Sequence, residues 1–372
     1  METPNAGRRA RATIRRPQPV LAAGILALAA LITSGCASPA APAPSTDPAP
    51  PPETSTPTAE PDSRPGAQPA SRYDLSCDEL VPTQAVSDMF DVPLEPVDPL
   101  VTAASAGIAV PRMTSILSIG GLACEWSNGE PYNSQYGGNP AYAGVLVTVV
   151  PEQDTGWSSR AASAGLPADA TSCGPDFCTI RRVGASGAWI EIFGSAGPGT
   201  ILPAGATAFA DAALAAVDAA GPPAPAPAIE SSIPADCDAL VPLATVESIT
   251  GTAGLVAVTT GGGWSEWAEA RAIAGDLGCR WMPTDVEEIV VAADWVRGGL
   301  WAFERIQDAG ALVPAASEIS VPGADRALLR CDAAYGTCGV DLLVGPDWIQ
   351  VTAPEEAWAV DVAEEIAAGL AG

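Results

Sequence analysis

Nine cysteines, five tyrosines and 44 carboxylates hold the chemistry open to this 372-residue chain, because histidine and lysine are both missing. Without an imidazole there is no Ser-His-Asp or Cys-His nucleophile and no histidine-ligated zinc. Without a lysine amine there is no Schiff base, no Ser-Lys dyad and no phosphate-loop lysine. What remains is carboxylate chemistry, a tyrosine, serine or threonine activated in another way, or an oxygen-ligand metal site. The sequence contains no EF-hand ligand pattern, glycine-rich phosphate loop or Gly-x-Ser-x-Gly elbow. Glu287 and Glu288 are adjacent in an expected strand, where neighbouring side chains face opposite ways, so they cannot cooperate as acid and base. No catalytic residue, metal or cofactor is expected.

Eight of the cysteines form two sets of four: Cys77, Cys124, Cys173 and Cys178, then Cys237, Cys279, Cys331 and Cys338. Separations of five and seven within the closing pairs are not a Cys-x-x-Cys motif, and no histidine completes a zinc set, so disulfides are expected rather than redox or metal chemistry. Symmetry between the sets leaves three connectivities per set. We favour Cys77 with Cys124, Cys173 with Cys178, Cys237 with Cys279, and Cys331 with Cys338.

Two segments are candidates for ligand contact. NGEPYNSQYGGNPAYAG (128–144) places Tyr132, Tyr136 and Tyr142 in a glycine- and asparagine-rich loop, a composition suited to adaptable recognition or simply to a solvated hairpin. GGGWSEWAEARA (261–272) places Trp264 and Trp267 three apart at the start of an expected helix, on one face, as core or as an aromatic anchor for a partner. Trp126, Trp281, Trp189 and Trp348 are expected to pack in cores, and Trp301 and Phe303 to be structural.

The elements that must position these residues occur twice. SCDELVPTQAVSDMF (76–90) is echoed by DCDALVPLATVESIT (236–250), ACEW (123–126) by GCRW (278–281), and AWIEI (188–192) by DWIQV (347–351). Two copies of one domain are expected, 73–220 and 235–372, with a proline-rich linker over 221–234. Pro82 and Pro242 suit the first turn of a short helix, and Gly251 suits a helix stop. Strands are expected over 145–150 and 288–296, strand-turn-strand units over 179–192 and 339–351, and alanine-rich amphipathic helices over 206–220 and 355–370. The fold class is α+β: two tandem antiparallel sheets, each disulfide-stabilised and covered by helices on one face.

The N-terminal region reads as an address. GRRARATIRR (7–16) precedes an uncharged run of thirteen residues, Val20 to Ile32, too short for a membrane span and right for a secretory signal. With Ser34, Gly35 and Cys36 following, residues 1–35 resemble bacterial lipoprotein signals, although Thr33 stands where leucine is usual. That resemblance implies a lipidated Cys36 as first mature residue, on two or more acyl chains, at the outer face of the cell membrane. Residues 36–72 are expected to form a disordered stalk, since the 36 that follow Cys36 include eleven prolines, no aromatic residue and no Val, Ile, Leu or Met. After cleavage, twelve arginines face 43 carboxylates, a balance that disfavours nucleic-acid binding.

Cys77 to Leu80, Cys124 to Trp126, Cys237 to Leu240, Cys279 to Trp281 and Pro322 to Ala327 resemble the motifs of small cysteine-paired lipoproteins of high-GC Gram-positive bacteria. The first copy departs from the Pro-Gly-x-x-Asp-x-Ala-like segment, reading Pro167, Ala168, Asp169, Ala170. The resemblance implies an envelope location and a binding role without a ligand. The expected function is a non-enzymatic, lipid-anchored extracytoplasmic module for an unknown envelope protein, glycan or lipid partner. Its rivals are a carboxylate-dependent hydrolase and a passive structural or sensory module.

Overall fold

A computed structural model describes residues 67–132, 138–153, 156–165, 167–260, 264–284 and 288–371. The signal segment, Cys36, Tyr136 and Glu287 lie outside the described residues. The first half opens on helices α1 (Cys77–Leu80) and α2 (Thr83–Met89), strand β1 (Glu95–Val97), and helices α3 (Pro99–Ala104) and α4 (Met113–Ser118). Strands β2 (Leu122–Ser127) and β3 (Gly144–Val150) follow, then α5 (Trp157–Ala164). It closes on β4 (Ala170–Cys173), β5 (Phe177–Val183), β6 (Trp189–Ser195) and α6 (Pro203–Ala220).

The second half begins with α7 (Cys237–Leu240), α8 (Leu243–Thr250), β7 (Leu255–Thr260) and α9 (Glu266–Ala274). Strands β8 (Gly278–Pro283) and β9 (Val291–Val296) lead to α10 (Leu300–Asp308). The remainder is β10 (Ser317–Ile319), β11 (Arg326–Asp332), β12 (Thr337–Val344), β13 (Asp347–Ala353) and α11 (Glu356–Ala371). Among the described residues no helix is long and apolar enough to cross a membrane.

Local chemistry accounts for the helix ends. Ser76 and Glu79 form a reciprocal capping box on α1, and Asp236 accepts from two backbone amides at the start of α7. Pro82 and Pro242 are the N-cap residues of α2 and α8, one position earlier than expected, and Gly251 ends α8 in the left-handed conformation at φ 66°.

Both sheets are antiparallel. Their orders are β1-β2-β3-β6-β5-β4 and β10-β11-β12-β13-β9-β8-β7, so the second, read backwards, repeats the order of the first and adds β10 at one edge. The four disulfides join the favoured pairs. The two long-range bridges tie α1 to β2 and α7 to β8, while Cys173–Cys178 and Cys331–Cys338 link residues directly opposite on neighbouring strands.

Helices cover both faces of each sheet, not one. Outer faces pack as expected: Trp126, Val145, Val147 and Ile192 meet α6 through Phe209, and Trp281, Trp295 and Val340 meet α11 through Val362 and Ile366. The inner faces also carry large apolar side chains, and these are roofed by helices from both halves. Trp189 and Val150 of the first sheet pack with Trp157 of α5 but also with Trp264 and Ala270 of the second half. Trp348 and Leu343 of the second sheet pack with Phe303 of α10 but also with Leu100 and Leu117 of α3 and α4.

The connecting segments are held as well. Arg72, expected as the end of the stalk, is buried, donates to the Ala224 carbonyl and pairs with Glu152 at 3.0 Å. Gln68 accepts from Arg305 at 3.0 Å. In the linker, Ser231 donates to Asp347 at 2.8 Å and Ile233 is buried.

Candidate functional site

Alternation along β2, β3, β6 and β5 sends two adjacent cross-strand rows to the inner face of the first sheet. One is Glu125, Leu146 and Phe193; the other is Thr148, Glu191 and Arg181. Here the roof formed by α3, Arg112 before α4, and the start of α9 stands off from the sheet. The result is a cavity of about 310 Å³ lined by these rows, by Tyr132 and Tyr142, and by Ser265 and Glu266 of the second half.

Its charges are unusually placed. Glu125 is 6% exposed, accepts one hydrogen bond from the Tyr142 hydroxyl at 3.1 Å, and forms no ion pair among the described residues. Burial pushes its carboxyl up to about 7, with the Asp98 charge adding to the effect. Burial and the neighbouring Glu125 also drive the Tyr142 hydroxyl far above its ordinary value.

At the other end, Arg181 pairs with Glu191 at 2.7 Å and lies 5.5 Å over the ring of Trp264. Burial and the neighbouring Glu191 charge raise the Glu266 carboxyl to about 8. Arg112 rests over the indole of Trp267, 5.1 Å from the ring centre, and its guanidinium has neither a hydrogen bond nor an ion pair among the described residues.

The four described aromatic candidates separate. Tyr132 and Tyr142 meet in the cavity, their ring centres 5.0 Å apart, with Tyr132 also 5.0 Å from Phe193. Tyr142 is buried instead of solvated in a loop. Trp264 and Trp267 do not share a face. Helix α9 starts only after Ser265, whose extended backbone (φ −161°, ψ 167°) and capping bond to the Ala268 amide turn Trp264 away from the helix. Trp264 is buried and stacked on Trp189, with centroids 4.9 Å apart, so it is core rather than an exposed anchor. Trp267 is half-buried between Arg112 and Arg271, the latter at 4.7 Å.

A second cavity of about 250 Å³ occupies the corresponding face of the second sheet. Its two arginines share one carboxylate: Asp294 accepts from Arg271 at 3.0 Å and from Arg280 at 2.8 Å. Cys331, Cys338 and Glu356 also cluster, but both sulfurs are committed to a disulfide and are not free to ligate a metal.

Sequence reasoning missed Glu125, Glu191, Glu266 and Arg112. A usable signal was present for the first: the middle residue of Cys-x-Trp is Glu125 in one copy and Arg280 in the other, and each is a charged wall of its own cavity. No protein-family model, curated protein or solved structure matches this chain.

Proposed function

We propose that this is a binding protein, held at the outer face of the cell membrane by a lipidated Cys36, that takes a small ligand in the cavity over the first sheet. Its two halves arose by duplication of one lipoprotein domain. The observation that carries the binding reading is the pairing deficit: Glu125 and Arg112 both line this cavity, and neither has an ion-pair partner among the described residues. A buried carboxyl and a half-buried guanidinium, both without ion-pair partners in one cavity, suit a site built for something that arrives later. The export reading is supported by four disulfides and by the short apolar run before Cys36.

Native mass spectrometry of the full protein released from its own membranes tests both parts. The expected result is loss of residues 1–35, an acyl mass on Cys36, and a small-molecule adduct that disappears in the Arg112→Gln, Glu125→Gln double variant. An unacylated chain removes the anchor; no adduct, or one unchanged in the variant, removes the site.

One observation favours a second reading, a carboxylate-dependent hydrolase. Burial raises Glu125 to about 7 and Glu266 to about 8 in the same cavity, and carboxyls held near neutral pH are suited to acid and base roles. Turnover of chromogenic aryl glycosides or esters, lost in both Glu125→Gln and Glu266→Gln, would establish it. No turnover leaves the binding reading in place.

A further inference from the structure

Every other arginine among the described residues donates at least one side-chain hydrogen bond: Arg72, Arg160, Arg181, Arg182, Arg271, Arg280, Arg297, Arg305, Arg326 and Arg330 all reach a carbonyl, amide or carboxylate oxygen. Arg112 alone does not, although it lines a cavity in a chain with far more carboxylates than cations. The Trp267 ring supports one face of the guanidinium. Its in-plane N–H groups, the ones suited to a two-pronged acceptor, are left without an acceptor among the described residues.

The surrounding charge sets the sign and size of what would fit. Arg112 and Arg181 bring two positive charges to this end of the cavity. Glu191 is paired with Arg181 at 2.7 Å, and burial raises Glu266 to about 8. The cation left open at this end is Arg112, whose one charge a monoanion balances and a phosphate dianion exceeds. In the same cavity the rings of Tyr132 and Phe193, 5.0 Å apart, form a wall for a flat or apolar body.

We propose that the ligand of this cavity is a small organic acid whose carboxylate is received by Arg112 and whose apolar or aromatic body lies against Tyr132 and Phe193. The inference rests on the binding reading above and specifies the ligand class for the same site. In the second cavity both arginines, Arg271 and Arg280, are already paired with Asp294.

Calorimetric titration of the full protein at pH 7 with benzoate, benzamide and phenyl phosphate tests it. Benzoate is expected to bind, and benzamide and phenyl phosphate to bind more weakly by about tenfold or more. Arg112→Gln should lose benzoate binding by a similar factor with an unchanged thermal midpoint, and Arg112→Lys should recover part of it. Absence of benzoate binding, equal affinity for benzoate and benzamide, or full benzoate affinity in Arg112→Gln overturns the inference. A co-purifying ligand that survives Arg112→Gln but is lost in Glu125→Gln overturns it too, while leaving the cavity as the binding site.

Discussion

The indole of Trp264 lies almost flat on that of Trp189, with planes 23° apart, although the two residues belong to opposite halves of the chain. Trp157 closes the group, 5.8 Å from each of the other two. Packing of this kind makes the inner face of the first sheet a joint product of both halves. Trp264→Ala is expected to cost about 3–5 kcal/mol, the range for emptying a buried aromatic site. The whole protein should still unfold in one denaturant transition, with the midpoint lowered. Two separated transitions in the wild type would show that the halves are independent.

Arg160 and Glu269 form a second tie across the halves. The Glu269 side chain is fully buried and accepts from Arg160 through both carboxylate oxygens, at 2.7 Å for the Nε bond. Removing only the arginine abandons a buried carboxylate, so Arg160→Met should destabilise by about 3 kcal/mol. Adding Glu269→Gln should recover part of that loss. A double-mutant cycle read by urea unfolding measures the coupling, and strict additivity would refute it.

Glu125 makes stability depend on pH in a definite direction. Its carboxyl is raised from the ordinary value of 4.5 to about 7, so the folded state holds its proton more tightly than the unfolded chain. The corresponding stability is fully present below the ordinary value, is lost as pH rises toward about 7, and changes little above that. Glu125→Gln keeps an acceptor for Tyr142 and removes the charge. The variant should match the wild type near pH 4 and be more stable by about 3 kcal/mol at pH 8. Equal stability at both pH values would show that Glu125 titrates normally.

The disulfides should contribute in two sizes. Cys77–Cys124 and Cys237–Cys279 close loops of 47 and 42 residues, worth about 4 kcal/mol each by chain entropy. Cys173–Cys178 and Cys331–Cys338 close loops of five and seven, worth about 2 kcal/mol each. Paired Cys→Ser variants, compared by denaturant midpoint, should fall in that order. Larger losses from the short bridges would reverse it.

Much of the outer architecture was readable in advance because its signals are local. The Cys-x-Trp strands, the β-branched runs and the alanine-rich helices α6 and α11 each carry their own period, and matched cysteine spacing reduced the pairing problem. The inner architecture was not readable. Helix α9 looks like a roof for its own sheet, yet it also covers β3 and β6 of the other half, and no period within a segment encodes that. Glu125, Glu191 and Arg181 alternate with apolar residues exactly as a solvated face would, which conceals a cavity lining. Tyr142 reads as loop because its neighbours are glycine, asparagine and proline, but its hydroxyl is drawn inward to Glu125.

Helix α9 lies far downstream of the sheet it helps to roof. As the chain emerges, residues 73–220 come first and can close their outer core around Trp126 and Phe209, while Trp189 and Val150 have only the cover of Trp157 and α4 until Trp264 and α9 dock. A message cut short in the linker would therefore yield a half-clad intermediate with a sticky indole face, fit for chaperones or degradation rather than use.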